Sequence, residues 1–247
     1  MAIKKHIPNT ITLFNLLCGC IAIVFVFEDK LAFSAYLIGL AAVFDFLDGM
    51  AARLLHVKSL IGKELDSLAD VVSFGLVPGF ILFRMISYSA GYSFVDSGYF
   101  AFLPYIALLI PAFSALRLAK FNTDERQQEL FIGLPTPANA ILIASLPLIL
   151  LQDSWIVNMD MDLIKSLIQS KYFLIFLTFL LSYLLVAEIP LFSLKFKTFI
   201  WHENKLRFTF LGISIIALIL FYYLAIPMII ILYIGLSLSP KNLASKV

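Results

Sequence analysis

The sequence predicts an all-α integral membrane protein, a bundle of about eight transmembrane helices. Of its 247 residues, 62% are hydrophobic and only 14% are charged, and the mean hydropathy is +0.98. An average soluble domain is about 45–50% apolar and about 25% charged. The 18 basic and 16 acidic residues nearly cancel, so the charge gives no sign of a nucleic-acid partner. A disordered chain and an ordinary soluble enzyme are both excluded.

The apolar runs and the polar breaks between them place the helices in order. About 20 apolar residues suffice to cross the hydrocarbon core of a bilayer, so the length allows at most about eight spans. The predicted helices lie near residues 9–27, 31–55, 64–87, 99–119, 137–152, 172–192, 207–222 and 225–239. Only Tyr223 and Leu224 separate the last two, which are compatible with one hairpin. No internal repeat appears, so we expect a single domain over residues 1–247.

The basic residues predict the orientation. With a cytoplasmic N-terminus and eight alternating spans, 14 of the 18 Lys and Arg residues lie on the inner side. Lys30, Arg84, Lys165 and Lys171 remain on the outer side. This distribution agrees with the positive-inside rule. We therefore expect a multi-pass protein of the cell's inner (plasma) membrane, with both termini and a polar cavity facing the cytoplasm.

Four acidic residues contrast with this apolar composition. Asp45, Asp48, Asp66 and Asp70 lie at or inside the cytoplasmic ends of the second and third predicted helices. A charge inside a span costs several kcal/mol unless it faces a partner or a water-filled cavity. The i, i+3 and i, i+4 spacings place each pair on one helix face. Since these helices are antiparallel neighbours, the two pairs are predicted to face each other.

Four facing carboxylates predict a site for two divalent cations, whose charge of +4 would balance the −4 of the acids. Ligation by oxygen alone suits Mg²⁺ or Mn²⁺ and disfavours zinc, which prefers Cys or His. Two such ions can bind the attacking and leaving oxygens of an in-line displacement at phosphorus. The acids therefore indicate phosphoryl-transfer chemistry.

Small residues accompany the acids. Gly49 follows Asp48 directly, Ala52 lies one turn later, and Gly62 precedes Asp66 by one turn. Glycine in a helix costs roughly 0.5–1 kcal/mol relative to alanine, which suggests that a bulky group approaches the backbone here. Arg53 is suited to binding a phosphate. The alternative is that the small residues pack helices and that Arg53 is a membrane-surface anchor.

These residues together resemble the signature of the CDP-alcohol phosphotransferases. The pattern D-x2-D-G-x2-A-R-x8-G-x3-D-x3-D is met at all eight fixed positions within residues 45–70. The resemblance implies transfer of a substituted phosphate from a CDP-linked donor to an alcohol, with CMP leaving. It also implies two metals held by the aspartates, and Asp70 as the base.

Residues 8–138 are further similar to the branch of this family that uses CDP-diacylglycerol and L-serine. The similar segments are P-N-x-x-T-L-x-N-L from residue 8, D-S-x-x-D-x-x-S-F-G-x-x-P from residue 66, R-L-A-K-F-N from residue 117 and G-L-P-T-P-A from residue 133. From the resemblance we expect Asn9 and Thr12 to join Gly49, Ala52, Arg53 and Gly62 in binding CDP-diacylglycerol. The last hundred residues match only in being hydrophobic.

Serine carries a carboxylate, an ammonium group and a hydroxyl, so its pocket needs a cation and polar partners. Arg117 and Lys120 end the fourth predicted helix and are candidates for the carboxylate. Asn122, Ser73 and Thr136 are candidate hydrogen-bond partners. Membrane anchoring by the cations and hydrogen bonds to helix backbone are the alternative interpretations.

The sequence is thus interpreted as that of an enzyme that forms phosphatidylserine and CMP in phospholipid biosynthesis. One alternative is the same chemistry with another acceptor, such as glycerol phosphate. An alternative from another class is a cation transporter, although an ion path would spread acids through the membrane and would not need Gly49, Arg53 or Gly62. The expected partners are the two substrates and membrane lipid. A homodimer is left open.

Overall fold

The computed structural model describes residues 2–57, 59–91, 102–124, 131–152, 161–192 and 200–238. Helices make up nearly all of these segments, which confirms the all-α class. The helices are α1 Ala2–Phe27, α2 Leu31–Leu54, α3 Leu60–Asp70, α4 Val77–Ser89, α5 Leu109–Thr123, α6 Thr136–Leu151, α7 Met161–Ile168, α8 Lys171–Val186, α9 Trp201–Phe221 and α10 Ala225–Ser237. Two short strands, β1 (Phe131–Ile132) and β2 (Pro190–Leu191), pair antiparallel.

The helices are those of a multi-pass membrane protein. By length and apolarity, five described helical segments can cross a membrane, or six if α7 and α8, bent by 68°, form one broken span; one of the five, Asn204–Ser237, comprises α9 and α10. The shorter apolar helix α6 covers Thr136–Leu151. The predicted number of eight spans is therefore not confirmed. The third predicted helix begins earlier than expected and runs without interruption over Leu60–Ser89.

The last two helices fold back on each other at Tyr222, whose φ is +49°. The ring centroids of Phe210 in α9 and Tyr233 in α10 are 5.8 Å apart, whereas a straight helix would separate these residues by about 34 Å. Gln152, after α6, holds the turn: its Nε2 donates to the Phe221 carbonyl, and its Oε1 accepts from the Tyr223 N–H, both at 3.1 Å.

The helix over Leu60–Ser89 is the centre of the bundle. Of its most apolar stretch, 72% is buried inside the protein, against 6% for the stretch in Asn204–Ser237. Phe74 and Ile81 of the central segment are fully buried, whereas Ile215 and Ile219 of α9 are exposed. A helix with many exposed isoleucines is unfavourable in water and favourable in lipid, which fits a position of α9 at the periphery of the bundle.

An ion pair joins two parts of the bundle at the end remote from the four aspartates. Asp29 occupies the turn between α1 and α2 with φ +63°, and its carboxylate accepts a hydrogen bond from Arg84 of α4. Arg84 also donates to the hydroxyl of Tyr88 at 3.1 Å. The contact joins the first hairpin to the central helix.

Gly79 permits the close packing of α4 against α5. A Cβ atom at Gly79 would lie 2.7 Å from Cδ of Pro111, too close for an unstrained contact. Gly39 of α2 is the opposite case, since an added Cβ would meet no heavy atom of the described chain within 4 Å.

We expect Gly79→Ala to lower the free energy of unfolding by about 1–3 kcal/mol, because the rigid proline ring cannot move aside. Gly39→Ala adds the same methyl group in open space and is expected to leave stability unchanged or slightly raised. Thermal unfolding of the purified protein in one detergent compares the two. Equal stability of both variants would contradict the packing role of Gly79.

Candidate functional site

Three of the four predicted aspartates meet in one cluster. Asp45 and Asp48 of α2 and Asp66 of α3 each contribute a carboxylate oxygen, and these oxygens lie within 4.8 Å of one another. The end of α2 and the start of α3 lie side by side, because the chain reverses between Leu54 and Leu60. Asp66 Oδ1 is buried and has no hydrogen-bond partner in the described part of the chain. A set of oxygens alone, one of them unpartnered, fits a hard divalent cation such as Mg²⁺.

Asp70 lies beside this cluster and is held differently. It follows Asp66 by one helical turn, so the two carboxylates share one face of α3, and it is only 7% exposed. Its Oδ1 accepts a hydrogen bond of 3.1 Å from Nδ2 of Asn15. Asp70 therefore completes the acidic group of four but is oriented by helix α1.

A π-helical segment, Val71–Leu76, follows Asp70 directly. No pattern in the sequence predicted this segment, and π-bulges occur frequently at functional sites. Within the segment, the Ser73 hydroxyl donates to the backbone carbonyl of Asn15 at 3.0 Å. Gly19 makes this approach possible, because a Cβ there would lie 2.5 Å from Ser73 Oγ. The segment thus holds the residue that orients Asp70.

Helix α1 also contacts the other pair of acids. The Thr12 hydroxyl lies 2.6 Å from Asp48 Oδ2, to which it donates, and 3.1 Å from the carbonyl oxygen of Pro8. Thr12 was predicted to bind the donor, and the structure places it against a carboxylate of the cluster. Asn15, one turn further along, was not among the predicted site residues. The sequence feature that could have indicated Asn15 is its polar side chain, which lies on the same face of the apolar helix as Thr12.

A cavity of about 500 Å³ opens beside the acids. Five of the residues predicted to bind the donor line it together with Asp48 and Asp66, namely Asn9, Thr12, Gly49, Ala52 and Gly62. Arg53 is not among the lining residues: it is exposed, and its Nε donates to the carbonyl oxygen of Gly49 at 3.0 Å. Lys63, which was not among the predicted site residues, lines the cavity instead.

The two glycines of this cavity differ in their surroundings. At Gly49 an added Cβ would meet no heavy atom of the described residues within 4 Å, so the backbone faces open space. At Gly62 an added Cβ would lie 3.0 Å from Oδ1 of Asn9. Gly49 leaves room for a bound molecule, whereas Gly62 allows α1 and α3 to approach.

The five serine candidates occupy three different places. Arg117 and Thr136 are buried and joined by a hydrogen bond of 3.1 Å from Nη1 to Oγ1. Lys120 lies with Arg117 on a second cavity of about 200 Å³. The other two candidates have partners elsewhere: Asn122 donates to Ser67 Oγ at 2.8 Å, and Ser73 donates to Asn15 as described above.

Arg117 is a buried cation without a close counter-ion. Its side chain is within the protein, and no carboxylate of the described residues lies within 4.0 Å of it. Its Nε is buried and has no hydrogen-bond partner among these residues. A buried charge is stable only when it is paired or hydrogen-bonded, so this guanidinium is suited to an anionic ligand.

The fold and the site define a helical membrane protein with a cluster of carboxylates that can bind a divalent cation, next to an open cavity. The chain belongs to the CDP-alcohol phosphatidyltransferase family, whose model matches residues 5–202. The match includes the whole of the signature over residues 45–70.

Several relatives carry one enzyme name, CDP-diacylglycerol–serine O-phosphatidyltransferase. The protein of that name from Mycobacterium leprae is 32% identical over 238 residues, which cover 92% of this chain and 72% of the relative. That from Bacillus subtilis is 35% identical over 137 residues, 54% of this chain and 70% of the relative. That from Methanocaldococcus jannaschii is also 35% identical over 137 residues, 56% of this chain and 58% of the relative.

The acidic cluster leads to a prediction on metal binding. Asp66→Asn removes one charge and one strong oxygen ligand, so we expect the affinity for Mn²⁺ to fall by more than about tenfold, since ligand charge sets the affinity of such sites. Asp162→Asn, at an exposed carboxylate of α7, is the matched control. Electron paramagnetic resonance of free Mn²⁺ measures binding without substrate. An Asp66→Asn protein that is folded and binds Mn²⁺ like the control would contradict the site.

Proposed function

We propose that the protein transfers the phosphatidyl group of CDP-diacylglycerol to the hydroxyl of L-serine, forming phosphatidylserine and CMP. The carboxylate cluster beside the large cavity supports phosphoryl transfer, and family membership supports a CDP-linked donor. The acceptor follows from the relatives, which bear the serine transferase name across distant organisms. The alternative of a cation transporter fits less well, because three of the acids lie together and are not spread through the membrane.

The experiment that tests this function follows CMP release. Purified protein in vesicles that contain CDP-diacylglycerol is supplied with Mg²⁺ or Mn²⁺ and with one alcohol at a time. Serine should release CMP and yield phosphatidylserine, whereas glycerol phosphate should not. CMP release with glycerol phosphate alone, or with no added alcohol, would reject the assignment.

The cofactors proposed are two divalent cations, Mg²⁺ or Mn²⁺, held by Asp45, Asp48, Asp66 and Asp70. Bound there, they would neutralise the diphosphate of the donor and the charge that develops on the leaving CMP. Thr12 and Asn15 hold Asp48 and Asp70 in position, so the ligand oxygens are oriented before any ion binds. Hydrogen bonds of this kind orient the carboxylates that bind a metal ion.

The donor is proposed to occupy the large cavity. Gly49, whose backbone faces open space, lines this cavity together with Ala52, Asn9 and Gly62. Lys63 lies at this cavity with its ammonium group bonded to the Asn122 carbonyl at 3.0 Å, and it supplies the nearby positive charge that was expected from Arg53. Acyl chains of the donor remain in the membrane beside the bundle.

Asp70 is proposed as the base. Its carboxylate accepts the proton of the serine hydroxyl as the serine oxygen bonds to the phosphatidyl phosphorus, and the bond from that phosphorus to the bridging oxygen of CMP breaks. The Asn15 hydrogen bond orients the carboxylate for this transfer. Proton transfer by a positioned side chain typically contributes 10²- to 10⁴-fold to a rate.

The serine carboxylate is proposed to bind Arg117, with Lys120 nearby in the second cavity. Arg117 lacks a close carboxylate among the described side chains. Its helix, α5, packs at Ser114 against Gly75 of the π-helical segment that follows Asp70. Thr136 holds one end of the guanidinium. Asn122 and Ser73 are proposed to have structural roles instead, because their side chains are bonded to other parts of the chain.

The site end of the bundle is proposed to face the cytoplasm, and residues 1–247 to form one domain. Arg53, Lys63 and Lys120 lie at the end that carries the acids, whereas Arg84 and Lys30 lie at the opposite end. Basic residues favour the cytoplasmic side of a membrane. A cytoplasmic site would also give direct access to soluble serine and to the nucleotide part of the donor.

The donor position leads to a prediction at Gly49. Gly49→Leu fills open space in the large cavity, so we expect the KM for CDP-diacylglycerol to rise at least about tenfold or turnover to stop, although leucine favours a helix. Gly39→Leu is the matched control, since Gly39 is in the same helix, also faces open space and lies far from the cavity. Equal donor KM values for both variants would place the donor elsewhere.

The carboxylate contact leads to a prediction at Arg117. A charge-assisted hydrogen bond contributes roughly 1.5–3 kcal/mol, so Arg117→Ala should raise the KM for serine by about 10- to 150-fold. Ethanolamine lacks the carboxylate, and its use should change little. Lys165→Ala, on α7, is the control for loss of one positive charge. An unchanged ratio of serine to ethanolamine use would show that Arg117 does not bind the carboxylate.

A further inference from the structure

The second cavity has walls of opposite charge. Arg117 and Lys120 of α5 supply two cations, and Asp124, after α5, and Glu188, after α8, supply two acids. The remaining lining is small or apolar and includes the last residues of α8. A cavity of about 200 Å³ with both signs of charge suits a small zwitterion and not a simple anion.

Hydrogen bonds hold the backbone on both sides of Glu188. The carbonyl oxygen of Leu184, in the last turn of α8, accepts from the Leu134 N–H at 2.9 Å, and that of Ile189 accepts from the Gly133 N–H at the same distance. The ladder of β1 and β2 continues this pairing directly after Glu188. The acid thus extends from a segment tied to the chain that precedes α6.

Gly133 makes this close pairing possible. Its φ is +76°, and a Cβ atom there would lie 2.8 Å from the carbonyl oxygen of Leu185 and 3.0 Å from that of Ala187. The carbonyl oxygens of Leu185 and Ala187, at the C-terminal end of α8, thus lie against Gly133. The last residues of α8 line the cavity beside Glu188, and the C-terminus of a helix favours positive charge, which adds to the attraction of this acid for a cation.

We propose that Glu188 binds the ammonium group of the amino-acid acceptor in the second cavity, across from the carboxylate bound by Arg117. This inference rests on the proposed function and adds the residue that distinguishes an amino acid from a hydroxy acid. Serine bears its ammonium and carboxylate groups on one carbon atom, so both must be bound within one small space. Helix α5, which carries Arg117, packs against the π-helical segment directly after Asp70: a Cβ atom at Gly75 would lie 3.2 Å from Cβ of Ser114.

The test compares Glu188→Gln with the parent protein on two ligands. 3-Hydroxypropionate is serine without its amino group, and its inhibition constant against serine can be measured whether or not it reacts. We expect Glu188→Gln to raise the KM for serine about tenfold, the lower end for a charged hydrogen bond because Glu188 is exposed. The inhibition constant of 3-hydroxypropionate should stay the same or fall, since the cavity loses a negative charge.

Three further measurements separate recognition from a structural effect. Glu188→Asp keeps the charge and should recover part of the serine affinity. Glu64→Gln removes one exposed acid at the same end of the bundle, outside both cavities, and should leave both constants unchanged. The donor KM should stay the same in all three variants.

The outcomes distinguish this inference from the proposed function. A parent protein that uses serine, together with a Glu188→Gln variant whose serine KM is unchanged, would overturn the role of Glu188 alone. An equal loss of affinity for serine and for 3-hydroxypropionate would also overturn it, because the effect would then not depend on the ammonium group. A parent protein that does not use serine would reject the proposed function.

Discussion

The mutual repulsion of four carboxylates within one end of an apolar bundle is the constraint on which this structure depends. Asp45, Asp48 and Asp66 lie within a few ångströms of each other, and Asp70 is buried beside them. Burying charge in an apolar medium is costly unless it is paired, solvated or bound to metal. The rest of the bundle must therefore be stable enough to offset the free-energy cost of these buried charges. Binding of a divalent cation would remove much of that cost.

Helix α1 supplies much of that scaffold at the site. Thr12 and Asn15 lie one turn apart and reach the two acidic helices separately, Thr12 to Asp48 and Asn15 to Asp70. The π-helical segment after Asp70 brings Ser73 against the backbone of Asn15, where Gly19 leaves the necessary space. Hydrogen bonds to a carboxylate are stronger than those between neutral groups, so these contacts restrict the orientation of the acids.

Contacts with neighbouring helices hold the central helix, Leu60–Ser89, in its position relative to the site. Gly79 brings α4 against Pro111 of α5, and at the remote end Arg84 joins α4 to the α1–α2 turn at Asp29. Because α3, the π-helical segment and α4 form one rod, contacts at the remote end also limit how Asp66 and Asp70 move. The peripheral hairpin of α9 and α10 is far more exposed and contributes chiefly its contacts with lipid.

Periodicity and composition were sufficient for the helical class and for the acidic site. The spacing of Asp45, Asp48 and Asp66 on two neighbouring helices is a local property, and the structure brings them together as expected. The π-helical segment and the hairpin at Tyr222 were harder to foresee, since each depends on packing against a distant part of the chain. Arg53 fits the signature, yet the direction of its side chain, towards the Gly49 carbonyl, is not encoded in the spacing.

The sequence by itself determined that this protein is a helical membrane protein, which residues form its acidic group and which family it belongs to. Those properties follow from hydrophobic content and from the spacing of residues along two consecutive helices, α2 and α3. Only the tertiary structure decided that Asn15 orients Asp70, that Lys63 and not Arg53 borders the large cavity, and that Glu188 shares a cavity with Arg117. Each of these joins residues from separate helices or loops, and their approach is set by the packing of the whole bundle.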